Sequence, residues 1–314
     1  SYIGGGHYAA NMAEKSIRYS IGKLNLEDMN GLRELYYQRT YNRVGSALDI
    51  QKTNANHDGS KTNLETLRLL ILKYLKEQDF DKMTTLWGWN LGFDYAPSKY
   101  RLHASHQQIH QQYAIIPENV KSYSGDIQQD IGEIPAYGCG DLISEVILQY
   151  SKLYKRDFFP DYLKAIKTNQ RMDSLNNDRQ SLVIWEDDNV MLFVPKAQTS
   201  QWELQLMTIP KCPATTVGNI IEADSETRLS INQGIFNAQK ALWGLGAEMV
   251  TSIEYPDRIR KNKEFSQPLI YSFLPRLPES PGAFSEAQLR FINDDYPEDF
   301  AYQCRLSLKQ QSLI

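Results

Sequence analysis

The chain has 314 residues, 41% of them hydrophobic and 23% charged, which is enough to bury a full core in one large domain or two smaller ones. Its formal net charge is −4 with scattered lysines and arginines, which argues against binding nucleic acid or membrane by charge alone. The three cysteines lie far apart without a CxxC pair, so reduced thiols are expected, not a disulfide framework or a zinc knuckle. No apolar run is long enough to span a bilayer, and no signal peptide is recognised at the start. These features predict a globular cytoplasmic protein.

The first half of the chain alternates helical and extended patterns. Apolar residues at near-helical spacing predict a surface helix over residues 26–44, with Asn25 as its cap, and a second helix that opens at Asn63. Residues 83–92 (MTTLWGWNLG) are β-prone, and so is the end of the stretch 103–117. Two extended segments joined by a loop predict a hairpin.

The second half repeats that order loosely. Helical patterns cover residues 141–154, 159–172 and 225–244, and a further helical pattern covers 285–308 with a break at Pro297. Extended patterns give a three-stranded meander from residue 181 to Pro210 with a turn at 186–189, followed by strands at 247–255 and 268–277. Antiparallel sheets with helices packed on them, occurring twice, make α+β the predicted fold class.

Three of the five histidines lie within the stretch HASHQQIHQQY, residues 103–113. On a helix, His103, His106 and His110 would share a face, as metal ligands do. The β-prone residues that follow favour a strand, on which Gln108, His110 and Gln112 share one face. A histidine with one ring nitrogen tied by a hydrogen bond and the other free can act as a nucleophile, and neighbouring amides can donate to a phosphate.

The same stretch resembles the active-site strand of the galactose-1-phosphate uridylyltransferase-like branch of the histidine-triad superfamily, which includes dinucleoside polyphosphate phosphorylases. The pattern of that strand is roughly Ser, two residues, His, any residue, His, any residue, Gln. Ser105, His110 and Gln112 match it, and Gln108 replaces the first histidine of the pair. Upstream, residues 90–92 (Asn-Leu-Gly) resemble the Asn-x-Gly with which the family holds phosphate.

The resemblance extends over residues 20 to 308, at low identity outside the motifs. Residues 161–210 are similar to the opening of the second histidine-triad-like repeat of the family. The resemblance therefore implies an α+β chain of two such repeats, 1–138 with the catalytic strand and 139–314, each an antiparallel sheet with helices packed on it. The N-terminal zinc cysteines and the C-terminal metal-binding histidines of some members have no counterpart. This difference implies a member without zinc, or one with a different substrate.

The activity implied by the resemblance is double displacement on a nucleotide-phosphate anhydride such as a sugar nucleotide or a dinucleoside polyphosphate. His110 would attack the α-phosphorus and hold the nucleotide as a phosphoramidate until an acceptor phosphate or sugar phosphate takes it. Gln112 would donate to the non-bridging oxygens, Ser105 toward the leaving phosphate, and Asn90 to phosphate. Gln108 could keep the ordering role of the missing histidine but not a zinc-binding role.

Further candidates for phosphate binding are Gly92, Lys99, Arg101 and Arg276, each of which has a plain structural interpretation as well. Family members are often dimers, so a homodimer is an option for this chain. Two alternatives stay open: a nucleotide hydrolase of the same fold, in which water discharges the histidine, and a non-catalytic nucleotide-binding relative. The base, the leaving group and the acceptor do not follow from the sequence.

Overall fold

The computed structural model describes residues 20–50, 61–78, 82–92, 109–122, 132–173, 179–198, 202–210, 216–260, 265, 267–276 and 295–314. The helices in these ranges are α1 (Leu26–Ala47), α2 (Lys61–Glu77), α3 (Asp141–Tyr154), α4 (Phe158–Lys167), α5 (Ser225–Gly244) and α6 (Pro297–Gln310). The strands are β1 (Met83–Gly92), β2 (Ile109–Pro117), β3 (Asn119–Lys121), β4 (Glu133–Pro135), β5 (Val183–Glu186), β6 (Val190–Phe193), β7 (Leu204–Thr208), β8 (Met249–Tyr255) and β9 (Ile270–Arg276). Among the described helices, none combines the length and the apolar character that crossing a bilayer requires.

One seven-stranded sheet organises the protein, with strand order β2-β1-β8-β9-β7-β6-β5, and β3 pairs with β4 in a separate two-stranded sheet. Every neighbouring pair in the large sheet is antiparallel. The predicted α+β class is therefore confirmed. Strands from both predicted repeats join in this single sheet through the pairing of β1 with β8. The boundary between residues 138 and 139 stays a prediction.

Two hydrophobic cores cover the two faces of the sheet. On the α1 face, which carries Trp87 and Tyr271, the strands pack against α1, α5 and α6, and α2 packs against α1. On the α3 face, Met207 and Phe193 pack against α3 and α4 in a smaller core that includes Ile147. This smaller core covers the β6, β7 and β9 part of the α3 face, whereas β1 and β2 contribute no residue to it.

Helix α1 begins where the sequence predicted and lies at the surface as predicted, with one face exposed and the other on the sheet. Asn25 caps it, since its Oδ1 accepts from the backbone N–H of Asp28 at 2.8 Å and completes a capping box. Arg33, Tyr36 and Tyr37, however, are at most 1% exposed. The helix lies on the sheet because polar and aromatic side chains supply its buried face, and a hydrophobic pattern cannot reveal such a face.

Three helix boundaries differ from the predictions, and at one of them the neighbouring residues bind partners far away in the sequence. Helix α2 begins at Lys61, ahead of the predicted start at Asn63. Helix α4 ends at Lys167 and not at residue 172, because Asn169 donates to Glu298 on α6, and the guanidinium of Arg171 contacts Asp299 there. The last helix begins only at Pro297, which occupies the first turn. Residues 285–294 of the predicted tail helix lie outside the described residues.

The predicted meander of the second half is confirmed. Its first turn is held by Asp187, whose Oδ1 accepts from the backbone N–H groups of Asn189 at 2.8 Å and Val190 at 2.9 Å. Strands β5, β6 and β7 then lie side by side. The acidic pair at residues 187–188 therefore belongs to a turn, as the sequence suggested.

A buried ionic cluster joins α1 to the centre of the sheet. Arg33 donates to the Tyr271 hydroxyl at 2.8 Å and lies 3.9 Å from Glu254 Oε2. Glu254 also accepts from the hydroxyls of Tyr36 at 2.7 Å, Thr85 at 3.0 Å and Tyr271 at 2.6 Å. Burial raises the pKa of the Tyr36 and Tyr271 hydroxyls, so both remain protonated donors to the carboxylate. These contacts attach strands β1, β8 and β9 to α1.

Candidate active site

Strand β2 carries His110 and pairs with β1 along its length, as the hairpin prediction required. In the register of this pair, Asn90 lies opposite His110 and Gly88 lies opposite Gln112. His110 lies in extended backbone. A metal cluster with His103 and His106 would need His110 on a helix, and the structure places it on a strand. His103 and His106 themselves lie outside the described residues.

The side chains of β2 alternate between the two faces of the sheet. Tyr113 packs toward α1, with its ring centroid 6.1 Å from that of Tyr36. By the two-residue period of a strand, Gln111 shares the α1 face, whereas His110 and Gln112 lie on the α3 face. His110 is half-buried and Gln112 is exposed. The predicted grouping of His110 with Gln112 is therefore confirmed as a shared face.

Asn90 lies between His110 and a residue that the sequence analysis did not single out. On β2 its neighbour is His110, and on β8 its neighbour is Thr251. The Thr251 hydroxyl donates to Asn90 Oδ1 at 2.6 Å. His110, Asn90 and Thr251 thus form one row across three strands on the α3 face. Local sequence offers no signal for Thr251, because the pairing of β8 with β1 joins segments some 160 residues apart.

Gly88 occupies the next row of the same face, between Gln112 on β2 and Ile253 on β8. A glycine inside a strand often marks a place where a ligand or another backbone comes close. Because Gly88 has no side chain, the surface here is backbone, bounded by Asn90 and Gln112. A Cβ built at Gly88 would lie 3.1 Å from the backbone carbonyl oxygen of Ser252, so the close approach of β8 is a structural reason for glycine here.

Gly92 has a structural reason to be glycine. Its φ is +103°, and a Cβ built there would lie 2.0 Å from the carbonyl oxygen of Glu248. Only glycine tolerates both the left-handed backbone and this close approach. Its predicted contact with phosphate stays a prediction.

We expect Gly92→Ala to lower the free energy of unfolding by about 3 kcal/mol, since it adds left-handed strain to a steric overlap. Gly246→Ala is the matched control, because Gly246 also has a positive φ of +101° but a Cβ there would meet nothing within 4 Å. That control should lose only about 1 kcal/mol. Urea denaturation of both variants measures the difference, and equal losses would contradict the overlap at Gly92.

Of the remaining predicted site residues, the described part of the chain includes only Arg276. The backbone of Arg276 ends β9 opposite Met249, which in turn lies opposite Gly92. Ser105, Gln108, Lys99 and Arg101 lie outside the described residues. Their roles stay predictions.

No metal centre is evident among the described residues, where no group of three or more histidine, cysteine, aspartate and glutamate side chains could hold an ion. Glu203, the buried carboxylate that directly precedes β7, is 2% exposed. Its Oε1 accepts from Ser272 Oγ at 2.7 Å and from Gln205 Nε2 at 2.9 Å. Hydroxyl and amide partners of this kind do not form the His and Cys donor set that zinc prefers.

Comparison with known proteins gives a likeness of fold. No protein-family model matches the chain, and no curated protein matches it. Among solved structures, a uridylyltransferase mutant superimposes with a TM-score of 0.52 at 11% identity, over 93% of this chain and 74% of that one. An ADP-glucose phosphorylase from Arabidopsis thaliana with bound ADP-glucose gives 0.52 at 12% identity, over 92% of this chain and 70% of the other.

A GalT-like protein from Arabidopsis thaliana gives a TM-score of 0.51 at 12% identity, over 91% of this chain and 70% of the other. Similarity over more than nine-tenths of the chain confirms the predicted resemblance at the level of fold. The fold of this chain therefore resembles that of the uridylyltransferase and of the ADP-glucose phosphorylase, in a strongly divergent sequence.

Proposed function

We propose that the protein is a nucleotidyltransferase or phosphorylase that uses His110 as a nucleophile in double displacement on a nucleotide-phosphate anhydride. The observation that carries the proposal is the position of His110 on β2. It is half-buried on the α3 face, with Asn90 directly opposite on β1 and Gln112 on the same face. The likeness of fold to a uridylyltransferase and an ADP-glucose phosphorylase supports the same reaction class.

In the first step, a ring nitrogen of His110 attacks the α-phosphorus of the nucleotide. A P–N bond forms, the P–O bond to the leaving phosphate group breaks, and the leaving oxygen carries away the electron pair. In the second step, an oxygen of an acceptor phosphate attacks the same phosphorus and the P–N bond breaks, which restores the histidine. Two in-line displacements of this kind replace one difficult transfer.

The amides around His110 suit the charge that develops on the phosphorus. Gln112 and Asn90 each carry an NH₂ group that can donate to the non-bridging oxygens, which gain negative charge in the transition state. Gly88, which lies opposite Gln112 and two residues from Asn90, adds no side chain between these amides. We extend the proposal to Ser105 as a donor to the leaving phosphate, to Gln108 as an ordering residue, and to a supporting set for the other phosphates: Gly92, Lys99, Arg101 and Arg276.

The substrate in this proposal is a sugar nucleotide or a similar anhydride, and the acceptor is phosphate or a sugar phosphate. ADP-glucose and phosphate are the first pair to test, since the phosphorylase of similar fold was solved with ADP-glucose bound. Localisation in the cytoplasm and assembly as a homodimer belong to the same proposal. Size-exclusion chromatography with light scattering tests the assembly.

The reaction is tested by incubating the protein with ADP-glucose, UDP-glucose and a diadenosine polyphosphate, each labelled at the α-phosphate. We expect at least one donor to label the protein with an adduct that is stable to alkali and labile to acid, as a phosphoramidate is. Adding phosphate should discharge the adduct to a nucleoside diphosphate. Discharge to the monophosphate at the same rate with and without phosphate would identify a hydrolase, and nucleotide binding without any adduct would contradict the proposed chemistry.

A further inference from the structure

We infer that α3 is an interaction surface that pairs in antiparallel orientation with α3 of a second copy of this chain. One side of the helix is buried, because Ile147 belongs to the smaller hydrophobic core. Another side is apolar yet exposed to solvent, since Leu142 is 61%, Val146 45% and Leu153 75% exposed. Burial of these side chains against a partner would stabilise an assembly. This surface is independent of the proposed reaction.

The spacing of the exposed residues is that of a coiled-coil seam. Four exposed residues follow one another at steps of four, three and four: Leu142, Val146, Gln149 and Leu153. Such steps keep side chains on one line of a helix that faces a second helix. In an antiparallel pair, Leu142 of each copy would face Leu153 of the other, and Val146 would face Gln149. The one polar seam residue, Gln149, lowers the affinity but favours a single register.

The charged residues beside this seam are complementary to one another in a second copy. Glu145 and Lys152 are both exposed and lie seven residues apart on the same side of the seam. When two copies of α3 pair in antiparallel orientation, Glu145 of each copy lies beside Lys152 of the other, and the two-fold symmetry makes this contact twice. In a parallel pair, Glu145 would lie beside Tyr150 and form no ion pair. The charges therefore favour the antiparallel pair.

The direction of the helix dipoles supports the same arrangement. Antiparallel pairing sets the positive N-terminus of each helix beside the negative C-terminus of the other, whereas parallel pairing brings like ends together. The helix has only 14 residues, so the interface between the two copies is short. We expect a homodimer with a dissociation constant of roughly micromolar order, as is usual for a small interface.

Sedimentation velocity at protein concentrations from about 1 to 100 μM measures the association. Lys152→Glu places like charges side by side at both contacts, so it should weaken the homodimer about ten-fold or more. Lys164→Glu is the matched control, because it makes the same change of charge at an exposed position of α4, and it should keep the affinity within about two-fold. A monomer at every concentration, or equal association in Lys152→Glu, would overturn the inference.

Mixing two charge variants separates this pairing from other uses of the same surface. Glu145→Lys and Lys152→Glu should each associate weakly, because each variant carries a single sign of charge beside the seam. An equal mixture should form a heterodimer about as tight as the unsubstituted homodimer, since every contact then joins opposite charges. The altered side chains are exposed, so the thermal unfolding midpoints should not change. A mixture that associates no better than either variant would overturn antiparallel self-pairing and indicate a helix of a different protein as the partner.

Discussion

Replacing His110 by alanine should lower the rate of nucleotide transfer by about 10⁴-fold or more, because the proposed covalent intermediate forms on its ring. This loss corresponds to a barrier higher by about 5 kcal/mol. The labelled adduct should disappear along with the activity. His110→Gln should behave in the same way, since glutamine keeps a polar side chain of similar reach but lacks the nucleophilic ring.

The fold should tolerate both substitutions. His110 is half-buried and contributes no side chain to either hydrophobic core, so the free energy of unfolding should change by less than about 0.5 kcal/mol. Ile109→Ala is the matched control, because Ile109 is the neighbouring residue of the same strand, on the opposite face and 37% exposed. Loss of activity in the Ile109 variant as well, or retention of the adduct in His110→Ala, would contradict a nucleophilic His110.

The strand and the face of His110 could be predicted because both depend on local pattern. β-prone residues on either side of a loop define the hairpin, and the two-residue period then fixes which side chains share a face. The start of α1 was predictable for a similar reason, since a cap is a local contact: Asn25 accepts from the backbone N–H of Asp28.

Features set by distant contacts could not be predicted. Thr251 became a neighbour of Asn90 only through the pairing of β8 with β1, and nothing in either segment encodes that register. The end of α4 depends on partners on α6, beyond residue 297 in the chain. Arg33 is fully buried against the sheet, and no hydrophobic pattern marks it as a core residue.

That buried arginine gives the largest expected effect on stability. Arg33→Met should lower the free energy of unfolding by about 3–5 kcal/mol, because it leaves the charge of Glu254 buried without its cationic partner. Both side chains are fully buried in the described structure. The guanidinium also lies over the rings of Trp87 at 4.5 Å and Tyr36 at 4.9 Å, and these contacts are lost as well. Urea denaturation measures the change.

The charge argument is separated from simple loss of packing by the double variant Arg33→Met with Glu254→Gln. Glutamine at position 254 keeps a similar shape and removes the unpaired charge, so the double variant should be more stable than Arg33→Met alone. Arg43→Met, on the exposed side of the same helix, should cost less than about 0.5 kcal/mol. If the double variant were as unstable as the sum of its single changes, the cluster would act through packing and not through charge.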